Sequence, residues 1–237
     1  MTFEAVMQTL ESQGTAQARK TYARHGIGTN TFGTSFAVMR KLAKQIKQDH
    51  ALALQLWATG YFEPRVVATM VADPLALTRD QAQAWVDEMT THAVTDELVN
   101  NLLSRTPFAA DLALAWIDSP GEQVGRAGWD LVVMLARGGG CAACSPLRGS
   151  KGAAPVADVD FAALLTKLEA TIHQAPNRKK EAMNNALIAI GIYVPDLTEA
   201  AKAAARRIGP VDIDHGDTAC KTPDAIAYIE KALARKA

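Results

Sequence analysis

Apolar residues recur at helical spacing along almost the whole chain. The spacing i, i+3, i+4, i+7 places an apolar stripe along one face of a helix. One such stripe consists of Phe161, Leu164, Leu165 and Leu168. Strand-like alternation of apolar and polar residues is nearly absent. The sequence therefore predicts an all-α protein.

The same pattern predicts thirteen helices. Capping boxes support two of their starts, Thr78 to Gln81 and Ser119 to Glu122. Short links between neighbouring helices favour antiparallel pairs stacked side by side in an α-solenoid. Because single architectures of roughly 200 to 250 residues are common, we expect one domain spanning residues 1–237. The predicted helices lie at residues 3–12, 15–25, 35–48, 50–59, 63–73, 79–92, 96–104, 109–118, 120–136, 158–174, 177–192, 196–208 and 223–235.

One segment interrupts the helical pattern. Residues 137–157 contain five glycines and show no apolar periodicity. Such a composition is typical of a flexible loop, since glycine leaves the backbone many accessible conformations. We therefore expect a flexible glycine-rich loop within the domain.

Composition places the chain among ordinary globular proteins. Hydrophobic residues make up 49% and charged residues 21% of the sequence, which excludes disordered and collagen-like classes. The longest wholly apolar run, residues 186–194, is far shorter than the roughly 20 residues of a membrane helix. The first residues show no secretory signal, and an odd count of three cysteines is typical of a reducing compartment. We expect a cytoplasmic monomer that needs no cofactor.

Charge is balanced overall but not along the chain. Residues 1–48 have a net charge of +5, residues 49–135 of −8 and residues 136–237 of +3. Such asymmetry is compatible with a local basic surface for nucleic acid, and equally with chain ends that attract the acidic middle.

Two basic clusters are candidate phosphate contacts. Arg40, Lys44 and Lys47 share one face of the predicted helix 35–48, as phosphate contacts or as an ordinary solvated face. A second cluster follows Asn177 at a predicted helix start, where the helix dipole disfavours cations. A bound anion would explain that placement, as would a basic surface turn offset by Glu181. The second cluster consists of Arg178, Lys179 and Lys180.

Cysteine and histidine spacing indicates a weaker alternative. Cys141 and Cys144 have the spacing of a metal knuckle, but a zinc site would also require His215 and Cys220. No Ser-His-Asp or Cys-His arrangement and no phosphate-binding glycine motif follows from the spacing. We expect no bound metal.

Several stretches, in a fixed order and spacing, resemble those of one protein family. Together they resemble the DNA alkylation repair family, the AlkD-like DNA glycosylases built from HEAT-like helical repeats. The similarity extends from about residue 30 to residue 235. The stretches are Phe32-Gly33-Thr34-Ser35 continuing to Arg40, Leu56-Trp57 leading into Glu63-Pro64-Arg65, Arg126-Ala127-Gly128-Trp129, residues 177–191 including Met183-Asn184-Asn185, and Asp214-His215-Gly216-Asp217 continuing to Asp224.

The resemblance implies a C-shaped stack of HEAT-like repeats with a basic concave face that holds duplex DNA. It also implies excision of a cationic alkylated purine by cleavage of its N-glycosidic bond. The leaving group already weakens that bond, so a carboxylate and aromatic faces need only stabilise the developing oxocarbenium sugar.

The resemblance assigns site residues one by one. Arg126 matches the family's phosphate-facing arginine. Asp96 matches an acid and is the candidate catalytic residue, or Glu97 if the register differs by one residue. Thr95 and Val99 stand where the family has its catalytic aromatic and aspartate, unless a one-residue slip puts Asn100 at the aspartate position. Ala189 replaces a second aromatic. The resemblance therefore predicts a DNA-binding protein and, if the protein is an enzyme, a DNA glycosylase that excises cationic alkylated purines. The alternative is a non-catalytic helical-repeat scaffold that binds a protein or peptide.

Overall fold

The computed structural model describes residues 1–138 and 159–236 of the chain. These residues form thirteen α-helices and three short 3₁₀ turns, and no strand occurs among them. The helices are α1 (Phe3–Ser12), α2 (Ala16–Arg24), α3 (Phe36–Ile46), α4 (His50–Ala58), α5 (Phe62–Val71), α6 (Arg79–Asp87), α7 (His92–Asn101), α8 (Ala109–Trp116), α9 (Glu122–Ala136), α10 (Phe161–Thr171), α11 (Asn177–Tyr193), α12 (Thr198–Ile208) and α13 (Ala225–Ala234).

The predicted helices all have counterparts, but two predicted boundaries were wrong. Predicted helix 79–92 ends already at Asp87, and predicted helix 96–104 begins earlier, at His92. The β-branched Thr91 has extended backbone, with φ −135° and ψ 142°, and occupies the N-cap position of α7 without a side-chain capping hydrogen bond. The predicted capping box at Ser119 is also wrong, because α9 begins at Glu122 and Ser119 Oγ accepts from Gly121 N instead.

The described residues fall into two compact units. The N-terminal unit comprises residues 1–106 with 216–219, and the C-terminal unit comprises residues 107–215 with 220–237. The single domain over residues 1–237 stays a prediction. Apart from Arg137 and Gly138, the predicted loop at 137–157 lies outside the described residues, as do Cys141 and Cys144.

The N-terminal unit has its core between α3, α4, α5 and α7. Its fully buried side chains include Met39, Leu56 and Leu98. Trp57 and Trp85 stack with ring centroids 3.9 Å apart and a 4° angle between the ring planes. Burying aromatic rings and branched apolar side chains supplies most of the stability of such helix pairs.

The C-terminal unit is built around the long helices α9 and α11. Trp129 of α9 and Met183 of α11 are almost wholly buried. Gly128 lets α9 approach α8 closely, since a Cβ there would lie 2.6 Å from Ile117 N. Within the described ranges, no helix combines the length and apolar character needed to cross a bilayer.

Candidate nucleic-acid interface

Seven cations of the N-terminal unit are exposed and have no acidic partner among residues 1–138 and 159–236. Residues 12–48 contain seven basic side chains and no acidic one. All seven are exposed, and none forms an ion pair with a residue of the described ranges. Unpaired exposed cations create a positive potential that attracts polyanions. We call this set the N-terminal basic surface; it consists of Arg19, Lys20, Arg24, Arg40, Lys41, Lys44 and Lys47.

Helix α3 carries the part of this surface that the sequence predicts. Arg40 and Lys44 lie one helical turn apart and are exposed, while Met39 and Leu42 point into the core. The Arg40 guanidinium lies 5.6 Å from the centre of the Phe36 ring. Stacking on an aromatic ring orients a guanidinium without neutralising it, so Arg40 keeps its charge available to a ligand.

Lys47 departs from the predicted helical stripe. The helix ends at Ile46, and Lys47 has φ 67° and ψ −116°, in the left-handed half of the Ramachandran plot that favours glycine. Its side chain is exposed but does not continue the helical face that Arg40 and Lys44 share. The predicted row of three therefore consists of two helical cations and one at the helix end.

A buried carboxylate holds α2 and α3 in place. Glu63, fully buried in the first turn of α5, receives four hydrogen bonds from the loop that precedes α3. Its donors are the Thr31 hydroxyl at 2.6 Å and the backbone N–H groups of Phe32 at 3.0 Å, Gly33 at 2.7 Å and Thr34 at 3.0 Å. We call residues 31–34 the anchored loop. The stretches at 32–35 and 63–65, which both contribute to the family resemblance, thus form two halves of one structural contact.

Two neighbouring residues complete the anchored loop. Gly33 has φ +78°, and a Cβ there would lie 2.5 Å from Thr15 O, so only glycine fits. The Tyr22 hydroxyl donates to Thr34 O at 2.6 Å. Burial and the negative charge of Glu63 raise the pKa of Tyr22 to about 12, so this phenol remains a donor at neutral pH.

Arg126 is buried in the C-terminal unit. Its side chain is 4% exposed, and its Nη1 donates to Glu181 Oε2 and to Arg178 O, both at 2.8 Å. Its Nε lies 3.5 Å from Asp130 Oδ2. A guanidinium enclosed in this way offers little surface to a phosphate, which argues against the direct contact that the sequence predicts.

The basic cluster at the start of α11 is also largely satisfied by the chain itself. Arg178 N donates to Glu122 Oε1 at 2.7 Å, and Arg178 Nη1 lies 3.2 Å from Glu181 Oε2. Lys179 Nζ donates to Ser119 O at 2.9 Å, and burial lowers the pKa of this lysine. The negative charge that the helix dipole favours at the start of α11 is therefore supplied by Glu122 and Glu181 of the chain itself. In the described part of the chain, Lys180 is half-exposed and has no ion pair.

Replacing Glu181 with glutamine is expected to lower the free energy of unfolding at neutral pH by about 2 kcal/mol. Burial alone would raise the pKa of Glu181, but Arg126 and Arg178 outweigh it and hold the pKa below its usual 4.5. A depressed pKa contributes stability above the unfolded-state value, and this contribution is lost as pH falls through the folded-state value.

The difference in the free energy of unfolding between wild type and Glu181→Gln should therefore shrink as pH falls below 4.5. Urea unfolding of wild type and variant across an acidic pH series measures it. Exposed Glu230→Gln is the control, with an expected change within about 0.5 kcal/mol at every pH. A deficit that stays constant into acid would contradict the ion-pair assignment.

The segment that the resemblance aligns with catalytic positions lies inside α7. Thr95 and Val99 are fully buried, and the Thr95 hydroxyl donates to Thr91 O at 3.0 Å. Asp96 is half-buried in the middle of the helix rather than at its start, so it does not cap α7. Asn101 Nδ2 donates to Glu97 Oε2 at 2.7 Å. At the two positions aligned with catalytic residues, Thr95 and Val99, the side chains of α7 are therefore packed in the interior.

The remaining candidate ligands do not form a metal centre in the described residues. His215 Nδ1 lies 3.8 Å from Glu181 Oε1, and its Nε2 lies 3.1 Å from Thr222 Oγ1. Cys220 is exposed. No group of three or more potential metal ligands occurs within residues 1–138 and 159–236.

Sequence reasoning missed four cations of the N-terminal basic surface and the roles of two acids, the buried Glu63 and the half-buried Glu122. Arg19, Lys20, Arg24 and Lys41 carry a signal that was countable, namely the absence of any acid in residues 12–48. Glu63 and Glu122 carry no such signal, because their partners lie 29 to 56 residues away in sequence.

Known proteins resemble the chain over its full length. A family model described as DNA alkylation repair enzyme matches residues 6–229. The uncharacterized protein Lmo0209 of Listeria monocytogenes is 27% identical, and Lin0241 of Listeria innocua is 26% identical, each with 99% of both chains covered.

One solved structure also matches, described as a new family of proteins related to the HEAT-like repeat DNA glycosylases with affinity for branched DNA structures. Its TM-score is 0.84 at 30% identity, with 100% of this chain and 95% of that chain covered. The prediction of an all-α, HEAT-like repeat fold is confirmed.

Proposed function

Because the chain belongs to the DNA alkylation repair family, we propose that it binds DNA through the phosphate backbone, with the N-terminal basic surface as a main contact. The observation that carries this proposal is the set of seven exposed cations that form no ion pair with any acid of the described residues. Cations held in solvent without counter-charges release condensed counterions from DNA when they bind it. The affinity of the matched structural relative for branched DNA supports the same function.

The proposal divides the predicted contacts into two roles. Arg40, Lys44 and Lys47 are exposed and contact phosphates directly, as does the half-exposed Lys180. The other three predicted contacts act indirectly, because their hydrogen bonds hold the start of α11 in the position that presents Lys180. These are the bonds of Arg126 to Glu181, of Arg178 to Glu122 and of Lys179 to Ser119.

Salt dependence tests the binding proposal. Affinity for duplex and branched DNA should fall steeply between about 50 and about 200 mM salt, with a linear dependence of log K on log salt concentration. A protein scaffold without nucleic-acid contacts predicts no such binding. Weak binding at low salt that stays unchanged at high salt would contradict a phosphate contact.

Base excision is a separate question, and the geometry supports binding without it. The resemblance aligns Val99 with the family's catalytic aspartate and Thr95 with its catalytic aromatic, and both side chains are fully buried. We expect duplex DNA carrying methylated purines to release no more base with the protein than without it. Chromatography of the released base checks this.

Asp96 remains the candidate carboxylate for any excision. Release of methylated purine by the wild-type protein that Asp96→Asn abolishes would replace the binding-only proposal with a glycosylase in which Asp96 stabilises the oxocarbenium sugar. Glu97→Gln is the parallel variant: loss of release in Glu97→Gln rather than in Asp96→Asn would move the role to Glu97, which lies half-buried one position along the same helix.

A further inference from the structure

Two aromatic side chains stack on one another next to the anchored loop. The ring centroids of Phe32 and Tyr61 lie 4.7 Å apart with an 11° angle between the planes. Tyr61 is 36% exposed, and Phe32 is half-buried. The stacked pair of Trp57 and Trp85, by contrast, is buried in the core. The pair of Phe32 and Tyr61, which we call the aromatic platform, is therefore stacked and accessible.

A cation of the N-terminal basic surface adjoins the aromatic platform. Arg19 Nη1 donates to Phe32 O at 2.7 Å, which holds the guanidinium beside the platform backbone. Arg19 is exposed and has no carboxylate partner within the described residues. A positive charge without a carboxylate partner among the described residues thus lies at the backbone of Phe32, the residue on which Tyr61 stacks.

The backbone of the aromatic platform is fixed before any ligand arrives. Phe32 N donates to the buried Glu63, and Phe62 N, next to Tyr61, donates to Asn30 O at 2.9 Å. The rings also restrain each other by stacking. Because little conformational freedom remains to be lost, such a platform binds a flat ligand with a small ordering cost.

We propose that Tyr61, supported by Phe32, stacks on an unpaired base of a branched DNA whose phosphates contact the N-terminal basic surface. This inference rests on the proposed DNA binding and adds the element that distinguishes unpaired from paired bases. Aromatic rings beside a positively charged track are the common means of binding single strands, since every base has a π face. Bases inside a duplex present no free face, so Tyr61 contributes only where pairing is interrupted.

The test compares two DNA ligands and two variants. A three-way junction with unpaired bases at the branch point and a fully paired duplex of equal length are titrated with wild type, Tyr61→Leu and Tyr61→Phe. Tyr61→Leu removes the ring and should weaken junction binding about tenfold while changing duplex binding less than about twofold. Tyr61→Phe keeps the ring and should match wild type on both.

A fluorescent base supplies a readout that needs no variant. 2-Aminopurine placed among the unpaired bases should lose fluorescence in the wild-type complex, because stacking on an aromatic ring quenches it. Unquenched 2-aminopurine, an unaltered junction affinity of Tyr61→Leu, or an equal loss on both ligands overturns the inference while DNA binding stands. A wild-type protein that binds neither ligand overturns the proposed function and this inference together.

Discussion

Replacing Glu63 with glutamine is expected to lower the free energy of unfolding by about 3 kcal/mol. The carboxylate is fully buried and accepts from one hydroxyl and three backbone N–H groups. A glutamine amide turns one accepting oxygen into an NH₂ group, which would face either the Phe32 N–H or the three donors on the other oxygen. Either orientation leaves buried donors without an acceptor, and each such group costs roughly 1–3 kcal/mol. Denaturant unfolding monitored by circular dichroism measures the loss.

Glu88→Gln is the matched control for that substitution. Unlike Glu63, whose donors are one hydroxyl and three backbone N–H groups, Glu88 pairs with Arg65, and its side chain is 48% exposed. Exposed ion pairs contribute about 0–1 kcal/mol, so this variant should remain close to wild type. Equal stability changes in the two variants would mean that Glu63 is not the anchor of residues 31–34.

The Glu63 substitution also connects the fold with DNA binding. Removing a negative charge ordinarily strengthens the attraction of a protein for DNA. Here we expect the opposite, a weaker affinity of Glu63→Gln at a temperature where it remains folded, because the anchored loop positions α2 and α3. A gain in affinity would indicate that the N-terminal basic surface acts through charge alone.

The fold could be predicted from the sequence because its information is local. Stripes such as Phe161, Leu164, Leu165 and Leu168 repeat with the period of the helix they form, and α10 extends over these four residues. The predicted boundary between α6 and α7 was wrong, because the threonine at 91 adopts extended backbone although the apolar pattern around it predicts a helix. Helix positions thus follow from neighbouring residues, and errors arise where backbone preference competes with periodicity.

The candidate site was predictable only in part, since its contacts are not local. Arg126 looks like an available cation in sequence, yet its partner Glu181 lies 55 residues further along the chain. The cations at the start of α11 violate the dipole rule until Glu122, 56 residues before Arg178, is seen to accept from its N–H. In contrast, Arg40 and Lys44 belong to a stretch without acids, residues 12–48, and both are exposed without an ion pair to a described residue.

Replacing Arg40, Lys44 and Lys47 together with glutamine is expected to weaken DNA binding more than about tenfold near 50 mM salt. Each phosphate contact that is lost reduces the slope of log K against log salt concentration by about 1, so the slope should fall by about 3. The fold should persist, since all three side chains are exposed and none makes an ion pair with a described residue. Fluorescence anisotropy over a salt series measures both quantities, and the thermal unfolding midpoint confirms folding.

The matched control removes the same charge from cations that already have partners. Lys167, Lys202 and Arg207 pair with Asp118, Glu199 and Glu169 in the C-terminal unit. Their joint replacement with glutamine changes the net charge equally but frees three carboxylates, and the slope should change by less than about 1. Equal slopes for the two triple variants would mean that net charge alone governs binding, whereas contacts at specific phosphates require the N-terminal variant to lose more.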